Sequence, residues 1–126
     1  MILRTGVDLI ENSRIEEAID RHGILFLTRI FTLAEIEACD GRIPSLAGRY
    51  AVKEAVSKAF GTGIGDMKWI EIEVVQDGRN APHVVLHGNA ARMSKEHGIM
   101  SWSISISHTE THAIGLAVAL AQVADD

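Results

Sequence analysis

Three basic residues and one acidic residue stand close together in the segment GRYAVKEAVSKAFGTGIG. The bases are Arg49, Lys53 and Lys58, and the acid is Glu54. At 100° per residue, a helix would place all four side chains within one half of its circumference. Bases arranged in this way are suited to bind phosphate groups. Glu54 does not fit that chemistry by itself, because a carboxylate repels a phosphate.

The segment ends with three glycines within five residues, and two of them, Gly61 and Gly63, are candidate phosphate contacts. Glycine allows a backbone N–H group to approach an anion closely. The Gly-x-x-x-x-Gly-Lys-Ser/Thr order of a nucleotide-binding P-loop is absent. A helix C-cap explains the same glycines equally well. Glu54 and Lys58, four residues apart, could likewise form an ordinary surface ion pair worth about 0.2–0.5 kcal/mol.

A second carboxylate would explain the presence of Glu54. Mg²⁺ is typically held by one or two carboxylates together with phosphate oxygens and water. Asp8, isolated in the apolar sequence GVDLI, is the best candidate. Taken by itself, Asp8 is better explained as a helix-capping or solvated strand-end residue. Together the two acids predict a Mg²⁺ site beside bound phosphates.

The elements that would position these residues begin with a strand over residues 2 to 10, followed by three helices before Gly61. Side chains that could cap the helices stand at three places: Ser13 with Glu16, Thr32 with Glu35, and Ser45 alone. The first helix ends at Gly23. Its periodicity places Arg14 and Arg21 on one face, with Ile15, Ile19 and His22 on the buried side.

The second half of the chain alternates like strands and turns. Two strands are predicted within 68–78 and 79–88, a short helix within 89–98, and a hairpin within 101–120. In the first strand of the hairpin, serines alternate with other residues, so the two sets lie on opposite faces. One face carries Trp102, Ile104, Ile106 and His108, and the other carries Ser101, Ser103, Ser105 and Ser107. The pattern predicts an α+β fold with an antiparallel sheet packed against helices.

Composition limits the class of protein. The 126 residues, 47% of them hydrophobic, are typical of a single domain spanning 1–126, and no stretch reaches the roughly 20 apolar residues of a membrane span. A formal charge of −5 argues against non-specific nucleic-acid binding. We expect a soluble, cytoplasmic protein, because no secretory signal is recognisable at the start. Cys39, the one cysteine, is interpreted as a packed side chain.

Five motifs, in order over almost the whole chain, resemble the holo-[acyl-carrier-protein] synthase family of 4′-phosphopantetheinyl transferases. They are GVDLIE near the start, FT-x-x-E at 31–35, GR-Y-A-x-KEA-x-SKAFGTGIG at 48–65, W-x-E-I-E-V at 69–74 and SISHT at 105–109. The resemblance implies that fold, and transfer of the 4′-phosphopantetheine arm of coenzyme A to a serine of apo acyl carrier protein for fatty acid biosynthesis. Adenosine 3′,5′-bisphosphate would be released.

The resemblance also assigns roles to residues. It implies that Asp8 and Glu54 hold Mg²⁺ and, with Lys58, form the catalytic group. The residues implied to contact coenzyme A are Arg49, Lys53, Lys58, Gly61, Gly63, Pro82, Ser107, His108 and Thr109. The group that accepts the serine proton stays open among a metal-bound water and the two carboxylates. Arg79, near the expected basic position of the Pro82 loop, and Arg4, before Asp8, receive no role.

Partners follow from the same resemblance. The family docks its acidic carrier on the first helix, which here implies contacts from Arg14 and Arg21. Without the family, a helix of mixed surface charge would explain these arginines. The resemblance further implies a homotrimer with active sites between subunits. The apolar run AIGLAVAL agrees with a trimer interface, although a buried central strand reads in the same way.

Two other functions remain open at the level of the sequence. One is a receptor that binds coenzyme A or a nucleotide without chemistry, although such a receptor would have no need of both acids. The other is a different Mg²⁺-dependent phosphotransferase or phosphodiesterase that uses the same pair of carboxylates.

Overall fold

The structure, a computed structural model, describes residues 1–122 and contains five helices, five strands and one 3₁₀ turn within that range. In chain order these are β1 (Ile2–Glu11), α1 (Asn12–His22), α2 (Ile24–Ile30), α3 (Leu33–Cys39), α4 (Ile43–Phe60), the 3₁₀ turn (Trp69–Glu71), β2 (Ile72–Gln76), β3 (Pro82–Leu86), α5 (Gly88–Glu96), β4 (Ile99–His108) and β5 (His112–Ala121). The predicted α+β class is confirmed.

The main sheet has three antiparallel strands in the order β1-β5-β4, and β2 and β3 form a separate antiparallel pair. Asp8 on β1 lies opposite Gly115 on β5, which lies opposite Ile106 on β4. The inner face of β5 carries small buried residues, among them Ala113 and Ala117. These small side chains leave room for α4 to pack closely on the sheet.

At Gly6 and Gly115 the sheet meets the backbone of α4 directly. A Cβ atom at Gly6 would collide with the carbonyl oxygen of Ala55, and one at Gly115 would lie 2.6 Å from the carbonyl carbon of Ala51. No side chain larger than hydrogen fits either position. This contact brings the strand that carries Asp8 onto the helix that carries Glu54.

Helix α4 is buried on most of its sides, so the predicted polar half divides into two stripes. Tyr50, Glu54 and Lys58 are half-buried or exposed. Arg49 and Lys53 are buried together with the apolar residues of the core. Helical periodicity groups side chains by direction, but it does not show which directions the rest of the chain will cover.

Helix starts agree with the prediction at one of three places. The Thr32 and Glu35 capping box is present at α3. Helix α1 instead begins at Asn12 and has no side-chain cap, and the Asn12 amide Nδ2 donates a 3.0 Å hydrogen bond to the Thr109 carbonyl. The predicted cap at Ser13 is therefore wrong. Ser45 is also not a cap, since it lies inside α4.

Two further details of the first helices differ from the prediction. His22, assigned to the buried side of α1, is exposed. Helix α2 was not predicted, because its sequence ILFLTRI is almost entirely apolar and shows no helical alternation of polar residues. Its last residue, Ile30, and the following Phe31 enter the core, so tertiary packing explains a helix that periodicity does not reveal.

The other face of the main sheet is not covered by any of residues 1–122. We call it the outer sheet face, and it consists of the exposed apolar residues Leu3, Val7, Leu9, Ile114 and Leu116 with the exposed serines of β4 beside them. Apolar surface of this continuity usually marks an interaction site. Within residues 1–122, no helix is both long enough and apolar enough to cross a membrane.

Candidate active site

Asp8 and Glu54 line one cavity of about 420 Å³ between β1, α1 and α4. The cavity is lined by Asp8, Leu9, Ile10, Arg14, Ile15, Ala18, Phe26, Tyr50, Glu54 and Lys58. Its lining combines apolar side chains with charged groups that converge from three different elements. Two acids 46 positions apart in sequence therefore lie in one cavity. A shared Mg²⁺ site would need this proximity.

Lys58 also lines this cavity and forms hydrogen bonds with residues of β1. Its Nζ donates hydrogen bonds to Asp8 Oδ1 at 3.1 Å and to the Val7 carbonyl at 3.0 Å. The Lys58 side chain is 48% exposed, whereas that of Asp8 is 17% exposed. The ion pair predicted from spacing, between Lys58 and Glu54, is replaced by a pair with the strand.

The pKa of Glu54 reflects its burial and two nearby groups of opposite charge. Burial raises the pKa of Glu54 above its ordinary value, the Asp8 carboxylate raises it further, and the Lys58 ammonium opposes them. A carboxylate with a raised pKa is one whose charge is poorly compensated. The site therefore has more negative charge than Lys58 alone neutralises.

Tyr50 is a cavity residue to which the sequence analysis gave no role. Its ring stacks on Trp69 with centroids 4.8 Å apart and planes 22° apart. Burial raises the pKa of the Tyr50 hydroxyl, and the Glu54 and Asp8 carboxylates add to this effect, while Arg14 opposes it. The signal was present in the sequence, since Tyr50 precedes Glu54 by one helical turn.

Lys53 lies on another side of α4 and is completely buried with Glu35. Its Nζ bonds to Glu35 Oε1 at 2.7 Å, to the Ile72 carbonyl at 2.6 Å and to the Trp69 carbonyl at 3.1 Å. All three ammonium donors are used. Burial lowers the pKa of Lys53, and Glu35 opposes that effect. The expectation that Lys53 contacts a phosphate does not agree with this placement.

Glu35 completes this buried cluster. Its Oε1 also accepts from the Thr32 backbone N–H at 3.0 Å, and its Oε2 accepts from the Val74 backbone N–H at 3.0 Å. The carboxylate thus joins α3, α4 and β2. We call Glu35 and Lys53 the buried pair.

Arg49 is buried as well and lies outside the Asp8 cavity. It lines a separate cavity of about 350 Å³ with residues of α3, β2 and the following turn, including Asp77 and Asn80. Its Nε has no hydrogen-bond partner among residues 1–122. Arg49 therefore faces the cavity near Asp77 and not the cavity of Asp8 and Glu54.

The glycine turn closes helix α4. Gly61 has φ 87° and its N–H bonds to the Lys58 carbonyl, and Gly63 has φ 70° and its N–H bonds to the Ser57 carbonyl. Both N–H groups that were candidate phosphate donors are thus used to end the helix, which agrees with the alternative interpretation of these glycines.

The residues expected near the far end of the coenzyme lie apart from the cavity. Ser107 and His108 end β4, and Thr109 begins the turn, where its hydroxyl accepts from the N–H groups of Thr111 and His112. None of the three lines the Asp8 cavity. Pro82 begins β3.

The other arginines have clear positions, both the two expected to contact the carrier and the two without an expected role. Arg14 lines the cavity, and Arg21 is exposed in the last turn of the same helix. Arg4 reaches from β1 to the end of α4, where its Nη1 donates to the Ala59 carbonyl at 3.5 Å. Arg79 is exposed in a turn whose backbone N–H groups are held by Asp77.

The Asp8 and Glu54 carboxylates fit a hard divalent cation such as Mg²⁺. They are oxygen ligands in one cavity, and burial together with the neighbouring Asp8 carboxylate raises the pKa of Glu54. Across residues 1–122, no group of three or more His, Cys, Asp or Glu side chains is arranged to hold a metal ion. Two carboxylates would need phosphate oxygens and water to complete the coordination shell, which is the usual arrangement for Mg²⁺.

Comparison with known proteins identifies the family. The model of the 4′-phosphopantetheinyl transferase superfamily matches residues 4–117. The chain belongs to this superfamily.

This member of the superfamily has named relatives that agree with the assignment. It is 43% identical over 124 residues to the holo-[acyl-carrier-protein] synthase of Moorella thermoacetica, covering 96% of this chain and 94% of that one. It is 41% identical over 123 residues to the synthase of a Thermoanaerobacter species, covering 95% and 88%. The crystal structure of Helicobacter pylori holo-[acyl-carrier-protein] synthase in complex with coenzyme A superposes with a TM-score of 0.85 at 34% identity, covering 92% of this chain and 99% of that one.

Proposed function

We propose that the chain is a holo-[acyl-carrier-protein] synthase, which transfers 4′-phosphopantetheine from coenzyme A to a serine of apo acyl carrier protein in fatty acid biosynthesis. The observation that carries this proposal is the single cavity in which Asp8, Glu54 and Lys58 converge in a member of this superfamily. The adenosine 3′,5′-bisphosphate half of the coenzyme would be the leaving group.

The Asp8 and Glu54 carboxylates would hold Mg²⁺. When bound, the ion supplies positive charge that neutralises the diphosphate as the acceptor hydroxyl attacks. Positioning and electrostatic stabilisation account for most of the catalysis in phosphoryl transfer.

Lys58 and the cavity walls would orient the reacting groups. The Lys58 ammonium, already at the cavity, donates to a phosphate oxygen and stabilises charge on it. The Asp8 and Glu54 carboxylates stay candidates for the group that accepts the serine proton. The apolar lining residues, which include Ile15 and Phe26, would reduce the water around the reacting groups once the coenzyme fills the cavity.

The remaining coenzyme contacts are proposed to come from a second subunit of a homotrimer. The Asp8 cavity is not lined by Ser107, His108 or Thr109 of the same chain. Arg49 lines a different cavity, on another side of α4. The outer sheet face supplies an apolar surface for such an assembly. Pro82, which starts β3, would lie on the adenine side.

Arg14 and Arg21 are proposed to dock the acidic carrier protein. Arg14 lines the cavity and Arg21 lies about two turns further along α1, so a carrier bound to both would be placed beside the carboxylates. Exposed charge contacts of this kind add little affinity but accelerate encounter. We retain a cytoplasmic location as part of this proposal.

Transfer can be tested directly with purified protein. Apo acyl carrier protein is incubated with coenzyme A and Mg²⁺, and its mass is measured. We expect a gain of one phosphopantetheinyl group that requires the metal. A well-folded carrier that gains no mass contradicts the proposal, and coenzyme A binding without transfer would favour the receptor.

Variants of the carboxylates test the assignment of the site. Asp8→Asn and Glu54→Gln are expected to lose transfer by about two to three orders of magnitude, the cost of removing a charged group that acts in the transition state. Lys53→Arg is not an adequate control, because Lys53 is buried. The control is Lys95→Gln on the exposed side of α5, which should keep full activity.

A further inference from the structure

Lys58 makes contacts that an ordinary surface lysine lacks. Its Nζ is held by two acceptors on β1, the Asp8 carboxylate at 3.1 Å and the Val7 carbonyl at 3.0 Å. The second acceptor belongs to the backbone of the strand, so it holds the ammonium beside Asp8 although the Lys58 side chain is 48% exposed. In this arrangement Lys58 is the counter-ion of Asp8.

This position conflicts with a cation held by the same carboxylate. A divalent ion at Asp8 and Glu54 would stand close to the Lys58 ammonium, and like charges repel. The diphosphate of the coenzyme would offer Lys58 another anionic partner. The ammonium can therefore pair with the Asp8 carboxylate or with the phosphate. The affinity for the metal differs between these two states.

We propose that Lys58 acts as an internal competitor of the metal, holding Asp8 until the diphosphate of coenzyme A draws the ammonium away, so that metal and coenzyme bind cooperatively. This inference rests on the proposed metal site. It assigns Lys58 a role before the chemical step, in addition to its contact with phosphate. The metal is bound weakly by the free protein and tightly in the presence of the coenzyme.

The charges of the cavity support this order of binding. Asp8 and Glu54 with Lys58 carry a formal charge of −1, and release of Lys58 toward a phosphate leaves −2 for the ion. Arg14 also lines the cavity, but it pairs with neither carboxylate in any hydrogen bond or salt bridge of the structure within residues 1–122. Lys58 is thus the cation whose position decides the charge that the metal meets.

The inference predicts opposite effects of one substitution on two ligands. Mn²⁺, as a spectroscopic substitute for Mg²⁺, is titrated into coenzyme-free protein and followed by electron paramagnetic resonance and calorimetry. Lys58→Met should bind Mn²⁺ about three- to tenfold more tightly than wild type, a range reduced because Lys58 is half-exposed. The same variant should bind coenzyme A more weakly. Lys95→Met, which removes an equal charge from α5, should change neither affinity.

Cooperativity is measured by repeating the Mn²⁺ titration with saturating coenzyme A and no carrier protein. Wild type should gain more Mn²⁺ affinity from the coenzyme than Lys58→Met does, and by linkage the metal must strengthen coenzyme binding by the same factor. Both titrations use the intact, folded chain, and circular dichroism checks each variant.

The outcomes separate this inference from the proposed function. Mn²⁺ binding that Asp8→Asn abolishes, with equal or weaker affinity in Lys58→Met, would retain the metal site and overturn the competitor role. If neither wild type nor Lys58→Met binds Mn²⁺, with or without coenzyme A, both the metal site and the competitor role are overturned. Tighter Mn²⁺ binding by Lys58→Met together with reduced coupling supports the role.

Discussion

Helix α4 carries two lysine–carboxylate pairs with different surroundings. The buried pair, Lys53 with Glu35, is 0% exposed and its N–O distance is 2.7 Å. The pair of Lys58 with Asp8 is 48% and 17% exposed, with an N–O distance of 3.1 Å. The lysines are five residues apart in sequence, so the same helix supports the fold on one side and the chemistry on the other.

The difference lies in how completely each group is satisfied. In the buried pair, backbone carbonyls and N–H groups use the remaining bonding capacity of both charges. In the Asp8 pair, Glu54 stays nearby with a raised pKa, caused by burial and by Asp8. A satisfied ion pair stabilises one arrangement, whereas an incompletely compensated site can exchange partners.

Removing one member of the buried pair should have the largest effect on stability. Lys53→Met leaves Glu35 charged and enclosed, so we expect the free energy of unfolding to fall by about 3–5 kcal/mol. Lys58→Met should change it by less than about 1 kcal/mol, because that pair is solvated. Urea denaturation at pH 7 measures both. Equal losses in the two variants would remove the distinction between the pairs.

Removing both charges should recover part of that loss. Lys53→Met combined with Glu35→Gln leaves no enclosed charge and retains one side-chain acceptor for the Thr32 or Val74 N–H group. We expect the double variant to be about 1–3 kcal/mol more stable than additivity of the single variants predicts. A double-mutant cycle in urea gives this value, and strict additivity would mean that the two residues do not interact.

The cap of α3 should contribute less. Thr32→Ala removes the acceptor of the Glu35 N–H at 3.2 Å and the donor to Glu73 at 2.6 Å, so we expect a loss of about 1–2 kcal/mol. Thr32→Ser keeps both bonds and is the matched control. Thermal unfolding compares the three proteins, and a serine variant as unstable as the alanine variant would assign the effect to the lost methyl group instead.

The smallest expected effect concerns Glu54 and has the opposite sign. Its pKa is raised in the folded protein from an ordinary 4.5, so its favourable contribution is present below pH 4.5 and is lost as the pH rises through the folded value. Glu54→Gln should therefore be more stable than metal-free wild type at pH 7 and equal to it near pH 4. Urea unfolding in the presence of EDTA measures the stability of both proteins at the two pH values. Glu17→Gln, which changes an exposed residue of α1, is the control.

The sequence was informative where chemistry itself demanded a partner. Two acids beside phosphates need a cation, which predicts that Asp8 and Glu54 lie together, and the structure places both in one cavity. The capping box at Thr32 was also predictable, because both of its hydrogen bonds lie within four residues. Local patterns and unbalanced charge are visible without coordinates.

Long-range burial was not visible in the same way. Lys53 looked like its neighbours on the helix, and nothing in the local pattern indicates that Glu35, 18 residues earlier, meets it in the core. Helix α2 was missed because an apolar segment carries no periodic signal. Asn12, not the predicted Ser13 cap, begins α1, and it also bonds across to Thr109, a contact 97 residues away.

The glycine contacts between the sheet and α4 limit how this site can be redesigned. Because Gly6 and Gly115 place backbone against backbone, no adjustable side chain sets the separation of the two main-chain segments that bear Asp8 and Glu54. Directed evolution toward a larger cation could exchange lining residues freely and still leave the main-chain spacing unaltered. A wider site would require a different crossing of strand and helix.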